Sequence, residues 1–153
     1  MDFFTNFIVI ALFIFPFITL IHELGHAFFL KLSGGKLLEL SIGKGEVLWN
    51  YKLFYLRVAY FAGGHVVAKD IEALGKFQRS LFYLGGVLFN LVSAVILDLA
   101  TGFELGVFRN YLDSFIFVSY LTVLINLLPM TTIVGDTDGK QLVHLYRELK
   151  VEE

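Results

Sequence analysis

The sequence predicts an α-helical integral membrane protein. It has three transmembrane helices, a small β-hairpin or sheet inserted between the first and second, and a short amphipathic helix at the C-terminus. Composition is the first support: 57% of the 153 residues are hydrophobic and 17% charged, against about 45–50% and about 25% in soluble domains. The second is the presence of three separate apolar runs, each near the roughly 20 residues that cross a bilayer at about 1.5 Å rise per residue. The third is the uneven distribution of lysine and arginine among the connections. The length suits a single compact domain over residues 1–153.

The first span covers about residues 3–30, with Pro16 as an expected kink. It does not read as a cleaved signal peptide: Asp2 stands where a basic segment belongs, and no small-residue cleavage site follows. It is therefore expected to be retained. Residues 36–66 change character. LLELSI alternates apolar and polar, GKGE is a turn signal, and VLWNYKLFYLRVAYFA is rich in aromatic and β-branched residues. Two or three short strands are expected there, ending at Gly63-Gly64. AKDIEALGKFQRS is expected as a polar helix or loop leading into the second span, residues 80–100. The third span covers about residues 112–134. In the tail, Leu142, Leu145, Tyr146 and Leu149 fall at helical spacing, so residues 138–150 should form an amphipathic cytoplasmic helix.

Residues 31–80 hold Lys31, Lys36, Lys44, Lys52, Arg57, Lys69, Lys76 and Arg79, and the tail holds Lys140, Arg147 and Lys150. The loop between the second and third spans holds only Arg109. The positive-inside rule then places residues 31–80 and the tail in the cytoplasm, with the N-terminus and the 101–111 loop outside. The expected location is the cell membrane, crossed several times. A net charge of −2 offers no basic surface for nucleic acid, and the absence of cysteine excludes disulfides and thiolate zinc sites.

The stretch HELGH, His22 to His26, ends the first span. Residues four apart share a helix face, so His22 and His26 can bind one zinc ion. Glu23 stands beside the first ligand, where a carboxylate can act as general base on a water that zinc acidifies toward a pKa of about 7. Two histidines on a helix face can be ordinary interfacial residues. Three ionisable residues within a membrane segment are costly, however, and favour function. A catalytic zinc takes a third protein ligand and leaves one position open. His65, His144 and the acidic residues are available. Asp136 and Asp138 follow the third span on the same expected side as HELGH, although either could simply cap the tail helix.

These residues resemble the site-2 protease family of intramembrane zinc metalloproteases. HELGH matches the family's HExxH. NLLP, Asn126 to Pro129, followed by TDG, Thr137 to Gly139, resembles its Asn-x-x-Pro…Asp-Gly motif. LGGVLFN, Leu84 to Asn90, is similar to its Gly-Pro-x-x-Asn element, with Val87 where proline is usual. YFAGGHV resembles the glycine-bearing strand before the second core helix. The likeness runs from residue 20 to about 142, and the spacer from Pro129 to Asp138 is longer than in the shortest family motifs.

The resemblance implies a three-helix catalytic core that holds one Zn²⁺ and cleaves a transmembrane protein or peptide. Asp138, which precedes glycine, maps to the third ligand, with Asp136 as runner-up. Asn126 and Asn90 are implied as residues that hold the substrate backbone or the oxyanion, or else as interhelical hydrogen-bonding groups. The strand region ending at Gly63 and Gly64 offers an edge for an extended peptide. The active site is expected in a polar pocket facing the cytoplasmic half of the bilayer, because irregular backbone at that depth must line a cavity or be buried. No segment has room for a regulatory domain, so substrate choice falls to the strands, the loops or a partner protein.

Three other functions compete. A catalytically inactive relative could act as a membrane binding or immunity factor, but HELGH retains Glu23. A membrane oxygenase with histidine boxes needs more histidines than the four present. A purely structural three-span protein leaves the ordered polar motifs without a cause.

Overall fold

The computed structural model describes residues 3–100, 109–132 and 135–148. Most of the expected outer loop, the last two residues of the expected third span and the final residues of the tail helix, Lys150 included, lie outside the described residues.

Helix α1, Phe3–Val9, passes through a π-helical turn, Ile10–Ile14, into α2, Phe15–Leu32. Pro16 falls in the first turn of α2 and lacks the N–H that would bond back into the π-helical turn, which runs on into α2 without a break. The irregularity is thus taken up by the wider turn just before it. Helix α3 is Lys76–Ala100 and α4 is Arg109–Leu127. The segments Phe4–Leu32, Lys76–Ala100 and Asn110–Leu127 are each long and apolar enough to cross a membrane. Phe13, Phe17, Ile96, Leu99 and Phe117 stand exposed on them, a surface suited to lipid.

Helix α4 stops at Leu127, seven residues before the expected end of the third span. Pro129 is the cause: it lacks an N–H and pushes Leu128 out of helical geometry. A minute hairpin follows, β3 (Thr131–Thr132) paired with β4 (Gly135–Asp136), and then α5, Asp138–Glu148.

The β region is larger than expected. It consists of two 16-residue strands, β1 (Lys36–Tyr51) and β2 (Phe54–Lys69), joined through Lys52 and Leu53. Both strands double back. Leu40, Ser41 and Ile42 face Val66, His65 and Gly64 on one side and Phe54, Tyr55 and Leu56 on the other. The stretch 40–42 therefore lies between two runs of β2. The bends need left-handed backbone, and glycine supplies it at Gly43 (φ +92°) and Gly63 (φ +92°). Arg57 braces the turn-back. Its Nε donates to Ser41 Oγ at 2.7 Å, Nη1 to the Gly45 carbonyl at 2.9 Å, and Nη2 to Glu39 Oε1 at 2.6 Å. The run Gly64–Ala68 is left at the margin of the sheet, with one edge unpaired by any described strand.

Both strands pack on α2, and β2 also reaches the Ile10–Ile14 turn. Because that turn lies inside the first apolar segment, part of residues 31–80 sits beside the span rather than clear of it. Of the polar helix or loop expected before the second span, residues 70–75 form the loop, with a 3₁₀ turn at Ile71–Ala73, and α3 begins at Lys76.

A candidate metal centre

Helix α2 crosses α3 at two glycines. A Cβ on Gly25 would strike the Gly85 carbonyl, and one on Gly85 would lie 2.6 Å from the Gly25 carbonyl. This close approach sets the histidines of α2 directly on α3. A Cβ on Gly86 would fall 2.5 Å from His22 Nε2, so the imidazole of His22 occupies the space that a side chain there would fill. The Nδ1 of His26 donates to the Phe82 carbonyl at 2.7 Å. A carbonyl can only accept, so the proton of a neutral His26 is on Nδ1 and Nε2 presents its lone pair.

Asp138 comes from the first turn of α5. His22 Nε2 lies 3.2 Å from Asp138 Oδ2, His26 Nε2 lies 3.4 Å from Asp138 Oδ1, and the two Nε2 atoms are 3.1 Å apart. All three residues are buried. Burial pushes the Asp138 carboxyl up, but its interactions with His22 and His26 outweigh this and hold it at about 2. The helix cap is a different residue from either aspartate. Thr137 Oγ1 accepts from the Lys140 N–H at 3.4 Å, and Gln141 N donates to the Thr137 carbonyl at 3.0 Å. Capping by Thr137 leaves the Asp138 side chain available for other contacts.

Among the described residues His22, His26 and Asp138 form the one group with ligand atoms mutually within 4.8 Å. The set suits zinc on its chemistry: two imidazole nitrogens and a carboxylate oxygen, with a fourth side left open. Asp138 Oδ2 is buried and faces His22 Nε2 at 3.2 Å without a well-aligned hydrogen bond, as an atom placed for a cation would be. Asp136, the runner-up, is turned away. Its Oδ1 accepts from Thr131 Oγ1 at 2.7 Å and pairs with Lys140 Nζ at 2.9 Å. His65 Nε2 instead faces Glu39 Oε1 at 3.4 Å, and His144 is exposed on α5.

Glu23 is 5% exposed and lies under β2. A Cβ on Gly64 would come within 2.8 Å of Glu23 Cγ and 2.9 Å of Oε1. The histidines and Glu23 open onto a cavity of about 510 Å³, whose walls are Gly64–Ala68 of β2, Phe82 and Tyr83 of α3, Asn126, and the β3–β4 hairpin with Asp138 and Gln141. Asn126 Nδ2 donates to the Thr122 carbonyl at 3.0 Å, which leaves one N–H of the amide uncommitted. Asn90 does not line this cavity. Its side chain is fully buried, with Nδ2 3.3 Å from His22 Nδ1, which is the interhelical hydrogen bond expected as the alternative to substrate contact. Gly63 does not line the cavity either and serves as the bend before Gly64. Sequence reasoning missed Gly86, the Phe82 carbonyl and Thr137. The doubled glycine of LGGVLFN was the one available signal, since a backbone carbonyl carries none.

The membrane protein YwmF of Bacillus subtilis is 29% identical over 119 residues, which is 78% of this chain and 74% of that protein. Proteins named "putative zinc metalloprotease" from Helicobacter pylori and Clostridium perfringens are 29% and 30% identical over 108 and 122 residues. Those matches take in 58% and 71% of this chain but only 31% and 36% of the relatives, so the chain spans about a third of their length. Residues 10–107, more than half of the chain and inclusive of HELGH, the strands and LGGVLFN, match peptidase family M50. The chain therefore belongs to peptidase family M50.

Proposed function

We propose that the protein is an intramembrane zinc metalloprotease that hydrolyses a peptide bond of a transmembrane or membrane-associated substrate. The observation that carries this reading is the buried cluster of His22, His26 and Asp138 beside Glu23 at the wall of an open cavity. The three ligands would hold one Zn²⁺, and zinc when bound supplies Lewis-acid polarisation of a carbonyl and acidification of water. Glu23 would act as the general base, taking a proton at a carboxylate oxygen and passing it to the leaving nitrogen. The uncommitted N–H of Asn126 would steady the oxygen on which charge develops.

A peptide bond in a transmembrane helix is closed off by its own hydrogen bonds, so the substrate must be extended locally. The open edge at Gly64–Ala68 forms one cavity wall and Asn126 another. An extended peptide laid along that edge by β-augmentation would pass over Glu23 and the ligands. The excess of lysine and arginine in residues 31–80 and the tail supports an active site toward the cytoplasmic half, with the N-terminus outside.

The test compares wild type and Glu23→Gln, purified in detergent, on a panel of transmembrane peptides. The reading predicts that both retain zinc and only wild type cleaves. If both hold zinc and neither cleaves any peptide, the same site serves a binding function and the protease reading fails.

A further inference from the structure

Asn90 is among the largest fully buried side chains, on α3 directly behind the metal cluster. Its amide nitrogen is 3.3 Å from His22 Nδ1, and its amide oxygen is buried with no hydrogen-bond partner. A buried amide oxygen left without a donor costs about 1–3 kcal/mol. The contacts around the two imidazoles assign the protons. His26 Nδ1 donates to Phe82, so Nε2 of a neutral His26 is bare. His22 Nε2, 3.1 Å away, must then be the donor of that pair. A neutral His22 with its proton on Nε2 has a bare Nδ1, and the Asn90 N–H matches it. This arrangement pairs the Asn90 amide nitrogen with His22 and leaves the Asn90 oxygen without a donor.

Metal ligation by His22 Nε2 requires the other tautomer. Nε2 gives up its proton to free the lone pair, Nδ1 takes one, and the ring remains neutral. Nδ1–H then needs an acceptor, and the amide nitrogen of Asn90 cannot be one. A half-turn of the amide exchanges its two ends. We infer that Asn90 is the positioning residue of His22, meeting Nδ1 with its amide nitrogen in the metal-free protein and with its amide oxygen when metal is bound. This rests on the metal-centre reading above. It gives Asn90 a part in metal affinity and in fixing the His22 ring, distinct from contact with a peptide.

The test measures Zn²⁺ affinity by chelator competition, and the visible spectrum of the Co²⁺-loaded form, for full-length wild type, Asn90→Leu and Asn90→Asp in detergent. Leucine offers no acceptor, and the expected loss of affinity is roughly 10–100-fold. Aspartate accepts from Nδ1–H and should keep affinity within about tenfold of wild type, with a wild-type-like Co²⁺ spectrum, whereas a merely space-filling role would leave leucine, of similar volume, with wild-type affinity too. A folded Asn90→Leu protein with wild-type affinity overturns the inference. If the leucine variant does not fold, the aspartate variant decides, and a loss beyond about a hundredfold overturns the inference. A wild type that binds neither metal overturns the metal-centre reading itself.

Discussion

His22 Nε2 and Asp138 Oδ2 lie 3.2 Å apart although they come from the first span and the last helix. The intervening chain has to fold for the pair to exist, which makes the pair a report on the whole fold. Removal of the carboxylate should abolish tight metal binding, whereas removal of Asp136 should not. Asp138→Asn is expected to weaken Zn²⁺ binding by more than the roughly 10–100-fold typical of outer partners. Asp136→Asn, which disturbs only the contacts with Lys140 and Thr131, should bind as wild type does. Metal titration of the two proteins checks this.

Leu145 of helix α5 is 2% exposed, and Lys76 Nζ lies 4.2 Å from the Tyr146 ring centroid. Leu145→Ala should cost about 2–5 kcal/mol of docking energy. Because α5 carries Asp138, zinc affinity should fall in the same variant. Hydrogen exchange along α5, measured with and without zinc, should show the helix loosened and metal partly restoring it.

Gly64 gives Glu23 its room. Gly64→Ala would force the Glu23 side chain or the Ser41 carbonyl aside, since the new Cβ would lie 2.8 Å from each. Displacement of about 1 Å at a reacting group costs about a hundredfold in rate. The expected outcome is a fall of that order in peptide cleavage with zinc content unchanged, which separates a misplaced base from a lost ligand.

The Arg57 brace makes the β region sensitive to acid. Burial pushes the Glu39 carboxyl up, but the hydrogen bond and charge of Arg57, with His65 and Ser41, together outweigh it, so it lies below its ordinary value. A carboxylate depressed in the folded state adds stability above its unfolded pKa, and that contribution is lost as pH falls through the folded value. Thermal unfolding should therefore show wild type losing stability below about pH 4. Glu39→Gln should be less stable near neutrality and lack that part of the acid dependence.

The parts of this structure that were legible in the sequence are those set by local pattern. HELGH placed His22 and His26 on one helix face, because spacing of four residues is a property of any α-helix, and put Glu23 next to the first of them. The apolar runs marked the three long helices for the same reason. Asp138 was favoured over Asp136 by the glycine after it, and Gly139 does lie where a Cβ would strike the Leu127 carbonyl. Contacts between distant segments were not legible. Alternation in 36–66 signalled strands but not that each folds back, since a glycine at a turn and a glycine within a bent strand look alike. Nothing local distinguished Asn90, behind His22, from Asn126, at the cavity wall. The end of the third span was overrun because the apolar run continues past Pro129.

The most direct test of the metal centre is zinc-edge X-ray absorption on the purified full-length protein. The account predicts about one zinc per chain, bound only by nitrogen and oxygen at roughly 2.0–2.2 Å, with two imidazole contributions that fall to one in His22→Ala. A protein that takes up no zinc, or a zinc spectrum unchanged by His22→Ala, would contradict it.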